Sequence, residues 1–218
     1  RLVIANGGQV VMTFKERERQ GSEYLDGSLD NGIIAHEYGH GISNRLTGGR
    51  QAASCLTNDE QMGEGWSDFF SLIMTHEPGD KGTDSRGIGT FAFAQLPIGG
   101  GIRTYPYSTD MKINPQTYDD IKGTSSPYPP GEVWTDMLWD MYWAFVDLYG
   151  YNADWTNKNS GNYKAVYLVM EGMKMQPCNP ELIDGKNAIL KADEVHNNGA
   201  NKCMISNVFA RRGLGYFA

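Results

Sequence analysis

Within "DNGIIAHEYGHGISNRLTGG", residues 30–49, His36 and His40 stand four apart with Glu37 between them. On a helix, four residues advance about 6 Å and return to nearly the same face. Two ring nitrogens can therefore meet one cation without bending the backbone. Glu37 projects beside such a cation rather than at it, where a carboxylate can hold a metal-bound water and take its proton. The chain has only 4 histidines, so placing two of them here is a concentrated signal.

Zinc used for chemistry needs a third protein ligand and an open fourth position. "MGEGWSD" offers Glu64, far enough beyond His40 for a turn and an antiparallel return. Asp68 follows Glu64 by four residues, on the same helical face. A ligating histidine usually gives its other ring N–H to a carboxylate, so Asp68 is expected to take that bond, from His36. The expected cofactor is one Zn2+ per chain. The plain alternative is two imidazoles sharing a helical face by accident. The Glu/Asp pair on a second helix weighs against it.

The elements that must position these groups follow from pattern. A helix is expected from Ser28 or Asp30, either one as its N-cap, to about Leu46, ended by the glycines of "TGG". Thr57 and Glu60 fit a capping box opening a second helix, whose stripe of Met62, Trp66, Phe69, Phe70 and Ile73 reads as core. An edge strand or hairpin is expected around "GGQVVMTF", and "KERERQGSEYLDG" reads as a polar loop. Residues 76–131 are dense in Gly, Pro, Ser and Thr, and a loop of that length is usually functional. From Glu132 onward the helical period returns in "EVWTDMLWDMYWAFVDLYG", "NYKAVYLVMEGMKM", "NPELIDGKNAILKADEV" and "ANKCMISNVFARRG". The pattern predicts a mostly α protein with a long ordered central loop and a short N-terminal strand or hairpin.

Composition narrows the function classes. A net charge of −7 with no Lys/Arg run argues against nucleic acid as a partner. No stretch approaches 18 apolar residues, so no membrane span is expected. The chain starts on Arg1 without a signal-peptide pattern, and a processed product is expected. Cys178 and Cys203 flank a helical segment and could pair, leaving Cys55 over; three buried thiols are an equal alternative. His76 reads as a solvated loop residue, and His196 as a cation at a helix C-terminus. Asp119 and Asp120 could hold calcium, although nothing else supports that and turn residues are the plainer reading. Trp134, Trp139 and Trp143 read as packing.

At these residues the sequence resembles the fungalysin family of secreted zinc metallopeptidases, thermolysin-like members of the Glu-zincin group. "DNGIIAHEYGHGISNRLTGG" and "MGEGWSDFF" resemble the two zinc-binding helices. "IRTYPYSTDMKINPQTY" resembles the family's middle loop, and "GEVWTDMLWDM", "QPCNPELIDGKNAILKAD" and "FARRGLG" its helical lobe. The similarity runs over roughly residues 22–217.

The resemblance implies a zinc-helix core with a helical lobe, zinc on His36, His40 and Glu64, and Glu37 as general base of an endopeptidase. It also implies a secreted zymogen with an inhibitory propeptide and a β-rich lobe ahead of the zinc helix. Little chain precedes His36, so residues 1–218 are expected to be the C-terminal, zinc-carrying region of a larger enzyme. Residues 1–27 would then be a strand or loop remnant, and 76–131 a loop within the region. Partners implied are protein or peptide substrates, the β-rich lobe and the propeptide.

One departure concerns the oxyanion donor. The family tends to carry a histidine three residues before the "GE" of the long helix, where this chain has Tyr128. A tyrosine can also donate, and Arg103, Tyr105 and Tyr107 in the substrate loop are rivals. A competing reading from another class is a catalytically silent, zinc-stabilised lobe that binds peptides or a partner. Glu37 argues against it, since a purely structural site has no use for that carboxylate. Structural zinc also prefers four protein ligands with cysteine among them, and no cysteine lies near this motif.

Overall fold

The helix Tyr128–Tyr149 (α3) is apolar on nearly every side, and most of its residues are buried. Such a helix belongs at the centre of a bundle rather than on its surface. The computed structural model describes residues 2–3, 11–12, 16–18, 24–123, 126 and 128–216. In it α3 is packed by Gly63–Met74 (α2), Gly161–Met175 (α4) and Lys202–Arg211 (α6). Asn31–Thr47 (α1) lies on α2 and touches α4, while Leu182–Asn197 (α5) lies against α4 and α6. The protein is thus mostly helical, as its periodicity predicts.

Aromatic side chains fill the centre. Trp66 of α2 meets Trp134 of α3 edge-on at 4.9 Å between ring centroids, and Trp139 stacks on Tyr142 at 5.2 Å. Trp134, Trp139 and Trp143 are all buried, in keeping with packing.

Asp30 begins α1. Its Oδ1 accepts the Ile33 N–H at 3.1 Å, satisfying one of the free donors of the first turn. Its Oδ2 accepts the Ala92 N–H at 3.1 Å, so the same carboxylate fastens the central loop to this helix. The helix ends before Gly48, and Gly49 supplies the left-handed conformation at φ 73°.

Several sequence expectations are corrected. The segment expected as a polar loop contains Glu16–Glu18 (β3) paired antiparallel with Tyr24–Asp26 (β4), in the register Arg17↔Leu25. Ladder bonds are made by backbone groups, so a charged stretch can pair without apolar alternation. Nearer the N-terminus, Leu2–Val3 (β1) pairs with Val11–Met12 (β2); the rest of "GGQVVMTF" lies outside the described residues.

The second helix starts at Gly63, not at Thr57. Thr57 Oγ1 donates to the Ser54 carbonyl at 3.2 Å. Glu60 instead accepts from the Tyr118 hydroxyl and the Leu182 N–H, both at 3.2 Å, tying the central loop to α5.

Neither cysteine expectation holds. Cys55 is joined to Cys178, and Cys203 is free and exposed. Flanking one helical segment is a poor guide to proximity. The 16 residues of α5 alone span about 24 Å, whereas Asn179 and Cys55 already share a backbone hydrogen bond of 2.9 Å. His76 is buried rather than solvated, its Nδ1 2.5 Å from the Tyr142 hydroxyl.

The central loop is ordered by its own bonds. Antiparallel pairing of Arg86 with Tyr107, and of Ile88 with Gly101 in parallel, folds it back on itself. Arg212, fully buried, then donates to the carbonyls of Ser108, Asn114 and Gln116 and to Asp140 of α3. Asp119 and Asp120 serve a turn: Asp120 caps the 3-10 helix Tyr118–Ile121, and Asp119 pairs with Lys122. No helix among the described residues is long and apolar enough to cross a membrane.

Candidate metal centre

The first two helices approach closely because glycine stands where they touch. A Cβ at Gly39 would lie 2.7 Å from the Ser67 Cα. That closeness brings Glu64 of α2 up to the histidine face of α1. His36 Nε2 and His40 Nε2 lie 3.1 Å apart. Glu64 Oε2 is 3.4 Å from His36 Nε2, and Oε1 is 3.6 Å from His40 Nε2.

These three separations test whether zinc fits. Tetrahedral bonds of about 2.0–2.1 Å place neighbouring ligand atoms about 3.3 Å apart. The two imidazole nitrogens, 3.1 Å apart, and the His36–Glu64 Oε2 contact, 3.4 Å, lie close to that spacing, while the 3.6 Å contact to His40 is made by the other carboxylate oxygen; one ligand atom from each of the three residues lies within 4.8 Å of the other two. Two imidazoles and one carboxylate are a donor set that zinc accepts, and among the described residues no fourth side chain joins the cluster. Zinc fits.

Asp68 sits behind this triangle, fully buried on the next turn of α2. Its Oδ1 is 2.6 Å from His36 Nδ1, the contact expected from the sequence. That bond orients the ring so that His36 Nε2 faces the cluster. The carboxylate is satisfied on every side. Oδ1 also accepts from Arg103 Nη2 at 3.0 Å, and Oδ2 accepts from Arg103 Nε at 2.6 Å and Tyr107 Oη at 2.5 Å. Arg103 Nη2 reaches Glu64 Oε2 as well, at 2.8 Å.

The electrostatics favour a cation. Burial pulls the His36 imidazole down, but Asp68 and Glu64 outweigh it and hold its pKa up at about 9. His40 is lowered, by burial and then by the charge on His36, so the two rings do not share protonation readily. Burial works against the Glu64 carboxylate too, yet His36, His40 and Arg103 hold it down at about 2. Asp68 falls well below the usual carboxylate range despite complete burial, chiefly through the adjacent guanidinium and His36.

The remaining expected residues divide into two groups. Glu37 is half-buried on α1 beside the cluster, and its charge is felt at His40. Tyr128 is half-exposed at the first turn of α3, with the Arg103 guanidinium 5.6 Å from its ring centroid. Tyr105 is partly exposed. Arg103 and Tyr107, expected to face substrate, turn the other way. The Arg103 side chain is 4% exposed and aims its fork at two carboxylates, and Tyr107 is fully buried with its hydroxyl committed to Asp68. A sequence cannot say which side of a loop faces inward.

A family-wide sequence profile of the fungalysin metallopeptidases matches residues 5–218. This chain belongs to the fungalysin family. It is 42% identical over 205 residues to extracellular metalloproteinase mep of Aspergillus fumigatus, covering 90% of this chain and 32% of that protein. Identity is 40% over 208 residues with an extracellular metalloproteinase of Pyrenophora tritici-repentis, at 90% and 31% coverage. Extracellular metalloproteinase 2 of Arthroderma gypseum is 41% identical over 198 residues. The chain spans about a third of the length of the curated relatives it matches.

Sequence reasoning passed over Glu132, which anchors the fungalysin middle loop. Its Oε1 accepts the Thr104 N–H at 3.2 Å, and its Oε2 the Gln116 side-chain amide at 3.0 Å. The signal was available. Glu132, Asp136 and Asp140 recur every four residues through an otherwise Trp- and Leu-rich helix, and all three are buried.

Proposed function

We propose that this chain is the zinc-carrying helical part of a secreted endopeptidase. The observation that carries the reading is the convergence of His36, His40 and Glu64, whose ligand atoms lie within 4.8 Å of one another, with Glu37 alongside. Zinc held there would polarise the scissile carbonyl and acidify a water.

The chain's own groups do the rest. His36 and His40 would present their Nε2 atoms to the ion, His36 aimed by Asp68 and giving up on binding the proton that Asp68 and Glu64 favour on the free ring. Glu64 supplies the third ligand oxygen while Arg103 limits its rotation. Glu37 takes a proton from the attacking water and returns it to the leaving amine nitrogen. Tyr128, whose hydroxyl makes no hydrogen bond among the described residues, donates to the carbonyl oxygen as charge develops on it. Tyr105 lies on the substrate side of the loop.

The relatives named above are extracellular metalloproteinases, which supports secretion and peptide substrates for this chain. Residues 1–218 form one zinc-carrying region in this reading, with 1–27 as its remnant N-terminal segment and 76–131 as an internal loop. Its partners are a β-rich lobe and an inhibitory propeptide of the same precursor.

The test is elemental analysis of protein purified without added metal, paired with a chelator-sensitive peptide-cleavage assay. About one zinc per chain with cleavage supports the reading. Zinc without cleavage favours the silent, peptide-binding lobe, and no zinc rejects both.

A further inference from the structure

The hydroxyl of Tyr107 has one proton to donate, and it is spent inside the protein on the carboxylate behind the metal cluster. We propose that Tyr107 is a positioning residue for the metal centre, acting through Asp68 on His36. The inference rests on the zinc reading above and extends it to a residue that touches neither metal nor substrate.

The main chain around Tyr107 is held from several directions. Its N–H donates to the Arg86 carbonyl at 2.8 Å, and its own carbonyl accepts the Arg86 N–H at 3.0 Å. Pro106 restricts the backbone immediately before it. Ser108, immediately after, is buried; its Oγ donates to the Thr83 carbonyl at 3.1 Å, and its carbonyl accepts Arg212 Nη2 at 2.8 Å. A side chain on so constrained a backbone delivers its hydroxyl to one place. That place is Asp68 Oδ2, at 2.5 Å.

The consequence for the metal lies in the carboxylate's remaining bonds. Arg103 grips both oxygens of Asp68, which fixes the plane of the group. Tyr107 occupies the last acceptor direction on Oδ2, leaving Oδ1 committed to the His36 ring at 2.6 Å. Without the hydroxyl, that direction is an unfilled, buried acceptor, and the carboxylate is free to tilt toward Arg103. His36 then loses the bond that sets its ring orientation and tautomer. Burial also raises the phenol well above its usual range, so it stays a donor across the working pH scale. A tyrosine that merely packed would have no use for the oxygen.

The experiment uses the whole chain as wild type, Tyr107→Phe, Asp68→Ala and the double variant. Zinc affinity is read by competition with a chromophoric chelator, and the cobalt-substituted absorption spectrum reports ligand geometry. Tyr107→Phe is expected to weaken zinc about 10-fold and to alter the cobalt spectrum. In the Asp68→Ala background the same substitution should change nothing further, because the group it acts through has gone. The melting temperature of the metal-free proteins shows that each is folded.

Unchanged affinity in Tyr107→Phe, with zinc bound normally by the wild type, overturns this inference alone. An equal loss with and without Asp68 also overturns it, since that is the signature of general destabilisation. A wild-type chain that takes up no zinc overturns the underlying reading as well. If Tyr107→Phe does not fold, Arg86→Lys tests the same path, because it loosens the backbone bridge partner of Tyr107 from Asp80 and Thr75. It should weaken zinc only while Asp68 is present, and an Asp68-independent effect overturns the proposal.

Discussion

Replacing Gly39 with alanine should separate the metal's ligands without touching any of them. The added Cβ would stand 2.7 Å from the Ser67 Cα, where carbon atoms in contact prefer about 3.5–4.0 Å. Relief requires α1 and α2 to part by about 0.8–1.3 Å. Metal–ligand distances tolerate only about 0.2 Å, so Glu64 on α2 cannot stay on an ion held by the rings of α1. Overpacking costs about 1–3 kcal/mol, offset by about 0.5–1 kcal/mol for replacing a helical glycine. The clash is with backbone, which yields less than a flexible side chain. A net loss of about 1–2 kcal/mol lowers melting by about 2–8 °C in a domain of this size.

Gly41→Ala is the matched control, because a Cβ there meets nothing within 4 Å. It should raise melting by about 1–4 °C and leave zinc binding alone. Differential scanning calorimetry of the metal-free proteins and chelator-competition titrations give both numbers. If Gly39→Ala bound zinc like wild type and melted no lower than Gly41→Ala, the close approach would not be what assembles the site.

Other expectations concern single groups. Glu37→Gln should retain zinc but lower peptide hydrolysis about 10²–10⁴-fold; ordinary turnover would remove Glu37 from the chemistry. Asp68→Ala should weaken zinc about 10- to 100-fold. It should also destabilise the metal-free fold by about 3–5 kcal/mol, because the buried Arg103 guanidinium loses its main counter-charge; an unchanged zinc titration would rule the positioning role out. Opening the Cys55–Cys178 bridge, which spans 123 residues, should cost about 2–5 kcal/mol in a reductant-dependent melt, and Cys203→Ser should show the same reductant dependence as wild type because the free thiol takes no part in the bridge. Burial lowers the His76 pKa in the fold, with Asp80 and Arg86 acting in opposite directions. Its contribution is therefore intact above pH of about 6.5 and lost as pH falls through the unfolded value toward the folded one. The melting difference between wild type and His76→Gln should shrink in acid, and a difference independent of pH would refute this.

Much of the helical frame was legible because local rules decide it. Asp30 announces α1 through a side chain suited to cap the first turn of a helix, and the Trp- and Leu-rich run announces a central helix. The pairing of Glu64 with His36 and His40 was legible from helical spacing and motif resemblance. The failures are matters of tertiary choice. Glu60 had two compatible uses, and the fold spends it on Tyr118 and Leu182 rather than on a cap. Cys55 and Cys178 meet because two loops happen to face each other, which no local pattern encodes. Tyr107 looks like any loop tyrosine until the antiparallel bridge to Arg86 turns it inward. His76 looks solvated until Tyr142 of α3 arrives beside it.

Anomalous diffraction at the zinc absorption edge, from crystals grown without added metal, tests the central claim most directly. The account predicts one peak per chain, with His36 Nε2, His40 Nε2 and a Glu64 oxygen each about 2.0–2.2 Å away and solvent completing the set. A peak elsewhere, or a Glu64 side chain turned from the two rings in the zinc-loaded crystal, would contradict it.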